Sequence, residues 1–582
     1  MPVMFDKFDK VDKPNNKAKK EAEGAKGRVA LIGLYNYKVL GVRYLASVLE
    51  QAGLECDLIC FKNFESGNMK KPTEREYELL EGLIRERQPR LIGVSVMSSL
   101  YLEAAVELTR RLRQVAGPEV PILWGGVYPT LFPEEGLKHA DLVVRGESDT
   151  FFAELARLLL EGRWEEALRL PNLAFRPADA GGGDGRRRDA AKAARAGEGG
   201  AEGEGAAPGD VNAEGTGCNN VAAPGKSDSG AVFNPLADLI QDLDAIPFPR
   251  LGGENVFYIH RDRLHAGDPL ADSPTYETTC SRGCPFTCSY CSSLSLRKLY
   301  KGKGRFVRLR SVDNVLAELK WAQERMKKMR MVIFWDEVFP DDPEWTKEFA
   351  EKYRRQIGLP FQIWGHPLHT RRENIELLVR AGLVQAVVGI QSGSPRIRKK
   401  VFYRPESQEA IIEMSRILAE ARVPQVIYDF ILDHPFETEE DFRLTLELCE
   451  KLHPPFSLQL HGLSFLPGTA IVDLALEQGV VSREEMERLQ NLPLEEQYRS
   501  FYWFYGGERV KYSRTRYWMN LIYFTQFPRL YRLIKFLAAR TSWLERCPRL
   551  VDRLKQVCNY YAVGCRVLKK LGWFYAPGLR RV

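Results

Sequence analysis

The chain has 582 residues, 44% hydrophobic and 11% aromatic, which is long for one ordinary domain and apolar enough to bury several cores. No apolar run approaches the roughly 18 residues of a membrane span, and the Lys-rich start (MPVMFDKFDKVDKPNNKAKKEAEGAKG) lacks the apolar core of a signal peptide, so secretion and membrane spanning are disfavoured and a cytoplasmic address is expected. The net charge of +7 is uneven, because residues 509–582 hold 17 Lys and Arg against two acids, a balance of +15 that leaves −8 on residues 1–508.

Residues 1–26 read as a disordered N-terminus. From residue 27 to 175 short apolar runs (RVALIGL, ECDLICF, RLIGVSV, VPILWGG, ADLVVRGE) alternate with helical patterns such as GVRYLASVLEQAG and YLEAAVELTRRLRQVAG. Five buried strands alternating with amphipathic helices predict a parallel sheet covered on both faces, whose ligand lies beyond the C-terminal ends of its strands. Those ends fall at Gly33 to Gly41, Ser95 to Ser99, Gly125 to Pro129 and Gly146 to Asp149. Residues 176–232 turn to Gly, Ala, Glu, Asp, Arg and Ser and are expected to be disordered, with Cys218 incidental. Residues 233–270, with Pro247 and Pro249, read as a linker.

Residues 271–480 alternate again: TYETTC, MVIFWDE, FQIWGHP, AVVGIQS, VIYDFIL and LQLHGLSF, separated by helical stretches near 311–329, 343–356, 371–382, 407–421 and 437–452. Six such units predict a barrel or partial barrel with its chemistry at the strand C-termini, where Asp336, Glu337, His366, Gln391, Ser392 and Asp433 stand. Residues 481–582 read as a helical, basic C-terminal region. In RLYRLIKFLAAR, Arg529, Arg532, Lys535 and Arg540 recur at near-helical spacing while Leu533, Phe536 and Leu537 supply an apolar side. That pattern fits a helix lying on a membrane surface, and equally a packed helical domain with a solvated basic face. The aromatic segment FYWFYGG (501–507) fits either a hydrophobic substrate wall or packing.

Eleven cysteines without a signal peptide argue for thiols rather than a disulfide framework. The most specific feature is CSRGCPFTCSYC, in which Cys284, Cys288 and Cys291 form Cys-x3-Cys-x2-Cys at the end of the first barrel strand. Thiolates packed this closely suit an iron-sulfur cube, whereas a structural zinc site usually draws two separated Cys-x2-Cys pairs and would be cramped in one loop.

CPFTCSYC, with Tyr290 before its last cysteine, resembles the cluster loop of the radical S-adenosylmethionine (SAM) superfamily. SRGCPFTCSYC, FWDEVF, GIQSGS and LPGTA, preceded by GGVYPTLFPEE, VVRGE and LDAIPFP, resemble the subgroup with an N-terminal cobalamin-binding domain. The resemblance covers about residues 28–175 and 233–480 and implies an α/β protein: a flavodoxin-like doubly wound sheet, then a partial (β/α)6 barrel, then a mostly helical region. It implies that Cys284, Cys288 and Cys291 ligate three irons of a 4Fe-4S cluster and leave the fourth to SAM, with Cys280 a strand-end residue. Tyr290, Asp336, Glu337, Gln391 and Ser392 then fall where relatives contact SAM. Gln391 stands where Glu is frequent, and Asp433 and Phe436 in DHPFET stand where glycines are common, which suggests an altered loop and substrate wall. Ser95, Ser98, Gly125 and Gly126 fall where cobalamin would lie. No Asp-x-His-x-x-Gly loop is present, the first histidine being His139, so a histidine ligand to cobalt from that loop is excluded.

The implied function is a cobalamin-dependent radical SAM enzyme that methylates, cyclises or oxidises an unactivated carbon of a small molecule, lipophilic molecules included. The alternatives are a radical SAM enzyme that keeps the first domain as scaffold, and a non-catalytic iron-sulfur protein. Implied partners are a small-molecule substrate, an electron donor such as flavodoxin or ferredoxin, no nucleic acid, and peripheral membrane contact through the tail.

Overall fold

The computed structural model describes residues 27–65, 69–177, 225–226, 230–501, 514–539 and isolated positions between 553 and 571. The segments 1–26 and 178–224, both expected to be disordered, and most of FYWFYGG lie outside these residues. The chain divides into two compact units. The first comprises 1–64, 71–240 and 245–269; the second comprises 65–70, 241–244 and 270–582.

In the first unit the apolar runs become β1 (Arg28–Leu34), β2 (Glu55–Phe61), β3 (Leu91–Ser95), β4 (Ile122–Gly125) and β5 (Leu142–Val144). They are joined by helices α1 (Leu40–Gln51), α2 (Glu74–Arg87) and α3 (Leu102–Ala116), and β5 leads into α4 (Phe152–Leu160). Helix α2 starts where its sequence dictates, because Thr73 and Glu76 form a capping box. β6 (Leu173–Phe175), β7 (Gly225–Lys226), β8 (Val232–Phe233), β9 (Val256–His260) and β10 (Arg263–Ala266) extend the sheet to the order β10-β9-β2-β1-β3-β4-β5-β6-β8-β7. The 2-1-3-4-5 centre is parallel, the doubly wound order whose crevice opens between β1 and β3. Its core packs Leu31, Leu58, Phe152, Leu155 and Leu159.

The segment expected as a linker is therefore corrected: β9 pairs in parallel with β2, and β10 turns back on β9. The cause is tertiary. Buried Arg43 on α1 holds Asp268 through two bonds of 2.7 and 2.8 Å and also donates to the Arg250 carbonyl at 2.8 Å. A bidentate buried guanidinium fixes such a segment firmly, and it leaves no periodic trace in sequence.

In the second unit β11 (Thr275–Thr278), the short β12 (Ser281–Arg282) and β13 (Arg308–Leu309), β14 (Met331–Phe334), β15 (Phe361–Gly365), β16 (Leu383–Gln391), β17 (Gln425–Ile431) and β18 (Ser457–His461) follow in order. The long strands form one parallel sheet, β11-β14-β15-β16-β17-β18, the six-stranded partial barrel expected. Helices α5 (Ser292–Leu299), α6 (Val312–Arg325), α7 (Pro343–Gln356), α8 (Arg372–Ala381), α9 (Gln408–Glu420) and α10 (Glu439–Lys451) intervene.

Side chains alternate across a strand, so the sheet has a helix face and an inner face. Phe334 and Phe361 pack on Phe349 of α7 at 5.6 and 5.8 Å between ring centres. Trp335 and Trp364 therefore turn to the inner face, where they stack at 4.1 Å with an interplanar angle of 22°. On β17 Tyr428 and Phe430 are fully buried, which turns Asp429 and Ile431 inward beside their register partners Gln459 and His461.

After the barrel, α11 (Arg514–Phe524) buries Tyr517, Trp518, Met519, Leu521, Ile522, Tyr523 and Phe524 and packs on α10, with Trp518 Nε1 donating to Glu439 at 3.2 Å. This aromatic part of the tail is core. Helix α12 (Tyr531–Ala538) follows.

Candidate functional site

The cysteine loop leaves the end of β11. Cys280 is buried and its N–H donates to both carboxylate oxygens of Asp336, at 3.0 and 3.1 Å, while the Ser281 hydroxyl donates to the same group. Gly283 then turns the chain at φ +90°, where a Cβ would stand 2.2 Å from the Phe306 carbonyl oxygen, so no other residue fits. Phe286 stacks on His366 at 3.5 Å. Ser289 anchors the far side, its N–H on the Phe402 carbonyl at 3.1 Å and its own carbonyl taking the Ile471 N–H at 2.9 Å. Cys291 caps α5, its sulfur accepting the Ser293 N–H at 3.5 Å.

Between these anchors the three thiols come together. Burial first, with Cys291 and Cys288 adding to it, pushes the Cys284 thiol up to about 12. Burial likewise pushes Cys291 up to about 11, with Cys288 adding to it. Three half-buried thiols close enough for Cys288 to act on both Cys284 and Cys291 are a donor set suited to a cationic iron-sulfur group, which would stabilise thiolates there. Among the described residues no three His, Cys, Asp or Glu side chains gather as they would around a single metal ion.

Behind the loop lies a buried charge network that periodicity could not reveal. Arg404 donates to the Cys288 sulfur at 3.8 Å, to the Tyr290 hydroxyl at 3.1 Å, to the Gly389 carbonyl at 2.6 Å and to Glu406 at 2.6 Å. Glu406 also stands 3.5 Å from Nε2 of His366. Burial, helped by the Arg404 and His369 charges, pushes His366 down to about 2, so the ring is neutral; its Nδ1 accepts the Leu368 N–H at 3.2 Å. The only sequence hint was RPES, an Arg and a Glu two residues apart after the GIQSGS strand.

The structure distributes the expected SAM residues unevenly. Glu337 is exposed and lies close enough to Cys284 and Cys291 to raise both thiols. Asp336 is instead committed to the root of the loop, and burial pushes its carboxyl up to about 7 against the hydrogen bonds from Ser281 and Cys280. Gln391 follows a register shift in β16 and takes φ 69°, and its shielded Oε1 accepts no hydrogen bond. Such an orphaned acceptor fits an incoming donor such as an ammonium or hydroxyl. Ser392 is fully buried and its hydroxyl accepts the Ser394 N–H at 3.2 Å. Tyr290 sets its ring edge-on to Phe402 at 5.0 Å. Asp433 adopts φ 60°, the left-handed region glycine favours, as its place in DHPFET anticipated. Phe436, expected on a substrate wall, is buried with Ile397, Phe402 and Ile471, because the turn at Ile397–Val401 offers it an apolar socket.

On the first sheet Gly33, Ser95 and Gly125 share one register across β1, β3 and β4. A Cβ on Gly125 would meet nothing nearer than the Val144 carbonyl at 3.8 Å, so open space lies there. Gly126, at φ +103°, would press a Cβ to 2.7 Å from the Val96 carbonyl. Ser98 caps the next turn through the Leu100 N–H at 3.2 Å. The open space at Gly125 lies at a strand end of a doubly wound sheet, where such sheets take their ligands.

Fold and site thus define a two-domain cofactor enzyme. Residues 278–449 match the Radical SAM superfamily and residues 33–156 match the B12 binding domain. An uncharacterised methyltransferase of Pyrococcus horikoshii is 22% identical over 451 residues, 76% of this chain and 79% of that protein. The anaerobic magnesium-protoporphyrin IX monomethyl ester cyclase of Rubrivivax gelatinosus is 23% identical over 72% of this chain, which spans 63% of the cyclase's length. The radical SAM methyltransferase TsrM of Kitasatospora setae, solved with tryptophan and a SAM analogue, shares the fold at a TM-score of 0.55 and 17% identity, covering 78% of this chain and 76% of that one. This chain belongs to the radical SAM superfamily, in the subgroup with a B12-binding domain. It is a radical SAM enzyme whose cofactors are a 4Fe-4S cluster, SAM and cobalamin, and the scaffold-only and non-catalytic alternatives give way to that reading. A small-molecule substrate fits this class of enzyme. Among the described residues no helix is long and apolar enough to cross a membrane.

Proposed function

We propose that the enzyme methylates a carbon of a small molecule that reaches the inner face of the barrel. When bound, the cluster supplies the electron that cleaves a C–S bond of SAM and cobalamin carries a methyl group. Cys284, Cys288 and Cys291 hold the cluster. Glu337 and Gln391 face SAM, with Tyr290, Asp336 and Ser392 acting from beneath, where they fix the loop and the strand ends. Ser95, Ser98, Gly125 and Gly126 leave the space cobalamin needs. The substrate meets the Trp335–Trp364 stack and, on the far strands, Asp429 and His461, whose Oδ1 and Nε2 stand 3.8 Å apart. An external electron donor of the flavodoxin or ferredoxin type and contact of the tail with a membrane surface belong to the same proposal.

The observation that carries this reading is the closeness of Cys284, Cys288 and Cys291 at the C-terminal end of a parallel barrel, in a chain that also carries the B12 domain. Two of the three relatives described above are methyltransferases. The test is an anaerobically reconstituted sample given SAM and reductant with and without cobalamin. S-adenosylhomocysteine that forms only with cobalamin supports methylation. Release of 5'-deoxyadenosine alone replaces it with cyclisation or oxidation, and release of neither product overturns both.

A further inference from the structure

We propose that the C-terminal region presents a surface that docks on an anionic lipid bilayer. The inference specifies the tail contact proposed above and is independent of the chemistry at the cluster.

In helix α12 Ile534 and Leu537 are buried, and the Leu537 carbonyl accepts the Tyr517 hydroxyl at 2.7 Å. Leu533, 38% exposed, lies beside the exposed Arg532 and Lys535 on the helix. Leu537, read from sequence as part of the apolar outer side, is buried instead. Farther on, the described residues from 553 to 571 are helical and every one is exposed. Val557, Tyr560, Tyr561, Val567, Leu568 and Leu571 recur there at steps of three, four and seven, with exposures from 44% to 78%. That spacing places them in one stripe along a helix, about 20 Å long at 1.5 Å per residue. Tyr561 touches Phe527, just before α12, at 6.2 Å between ring centres, so the stripe passes close to the segment that leads into α12.

A water-facing stripe of this size needs an occupant, and the charge of the region selects it. Residues 509–582 carry +15, with Glu545 and Asp552 as their only acids. Apolar and tyrosine side chains in a stretch of sequence with this excess of cations over acids match the interface of an anionic bilayer: acyl chains take the stripe and headgroup phosphates take the Arg and Lys. A second copy of this chain would bring an equal positive charge to the contact and repel.

The holoenzyme should co-sediment with phosphatidylcholine vesicles containing phosphatidylglycerol, less so as salt rises, and only weakly with phosphatidylcholine alone. The double substitution Tyr560→Glu and Leu568→Glu should weaken that partition by about tenfold or more. Leu533→Glu on α12, a separate helix, should weaken it in the same direction. Each variant is first matched to the parent in helical content and in 5'-deoxyadenosine release without vesicles, readouts that belong to the barrel and report on the functional reading separately. No sedimentation of the parent, equal sedimentation of the variants, or a dimer in solution that the double substitution splits would each overturn the proposal.

Discussion

At the C-terminal ends of β1, β3 and β4 the chain places Gly33, Ser95 and Gly125, whereas at the ends of β14, β15 and β16 it places Trp335 and Asp336, His366, and Gln391. Both sheets are parallel, yet the strand ends of one carry small residues and those of the other carry aromatic, acidic and amide side chains. The first needs little more than the absence of side chains, so its site is set by glycine geometry. On the proposed function the second would hold thiolates beside a buried guanidinium, a buried carboxylate and a neutral imidazole, so its site is set by a network. A network is costly to break, because removing one member leaves a buried charge uncompensated.

That contrast can be broken most sharply at the thiols. Cys288→Ala should remove the cluster altogether, read as iron and sulfide content after anaerobic reconstitution, while cobalamin still binds to the same protein. Iron unchanged from the parent would sink the ligand assignment.

Next in size is the cation behind them. Arg404→Gln strands Glu406 and should destabilise the barrel unit by about 3–5 kcal/mol in denaturant melts. Where cluster is retained, loss of a cation donating to the Cys288 sulfur should lower its reduction potential. Arg404→Lys, which keeps the charge, should restore most of the potential and less of the stability; a potential insensitive to both substitutions would count against the contact.

The buried carboxyl gives a pH signature. Asp336 titrates near 7 when folded and in the ordinary carboxylate range when unfolded, so the folded state binds the proton more tightly. Its contribution to stability is full below about 4 and is lost as pH rises through about 7, a swing of roughly 4 kcal/mol. Asp336→Asn should flatten the stability of the apo-protein across that window, and parallel curves for the two proteins would contradict the burial of this group.

Smallest are the effects on the first sheet. Gly126→Ala, with φ +103° and a Cβ 2.7 Å from a carbonyl, should cost about 1–3 kcal/mol. Gly125→Ala should change stability by less than ~0.5 kcal/mol and instead weaken cobalamin retention during gel filtration. If the two alanines behave alike, the division between a conformational and a space-leaving glycine fails.

The sequence by itself determined the parallel sheets and the cluster loop. Their signals are local: apolar runs alternating with amphipathic helices, and CSRGCPFTCSYC with its spacing. A buried strand or helix advertises its period because each side chain is sorted by the solvent it avoids. Tertiary structure alone decided the attachment of residues 256–266 to the first sheet, the hydrogen bonding of Asp336 to the loop root, the burial of Phe436 and the assembly of Arg404, Glu406 and His366 behind Cys288. Each depends on a hydrogen bond or contact between segments far apart in the chain. Arg43 meets Asp268 across 225 residues and Arg404 meets Cys288 across 116, and no pattern within a strand or helix records such a meeting.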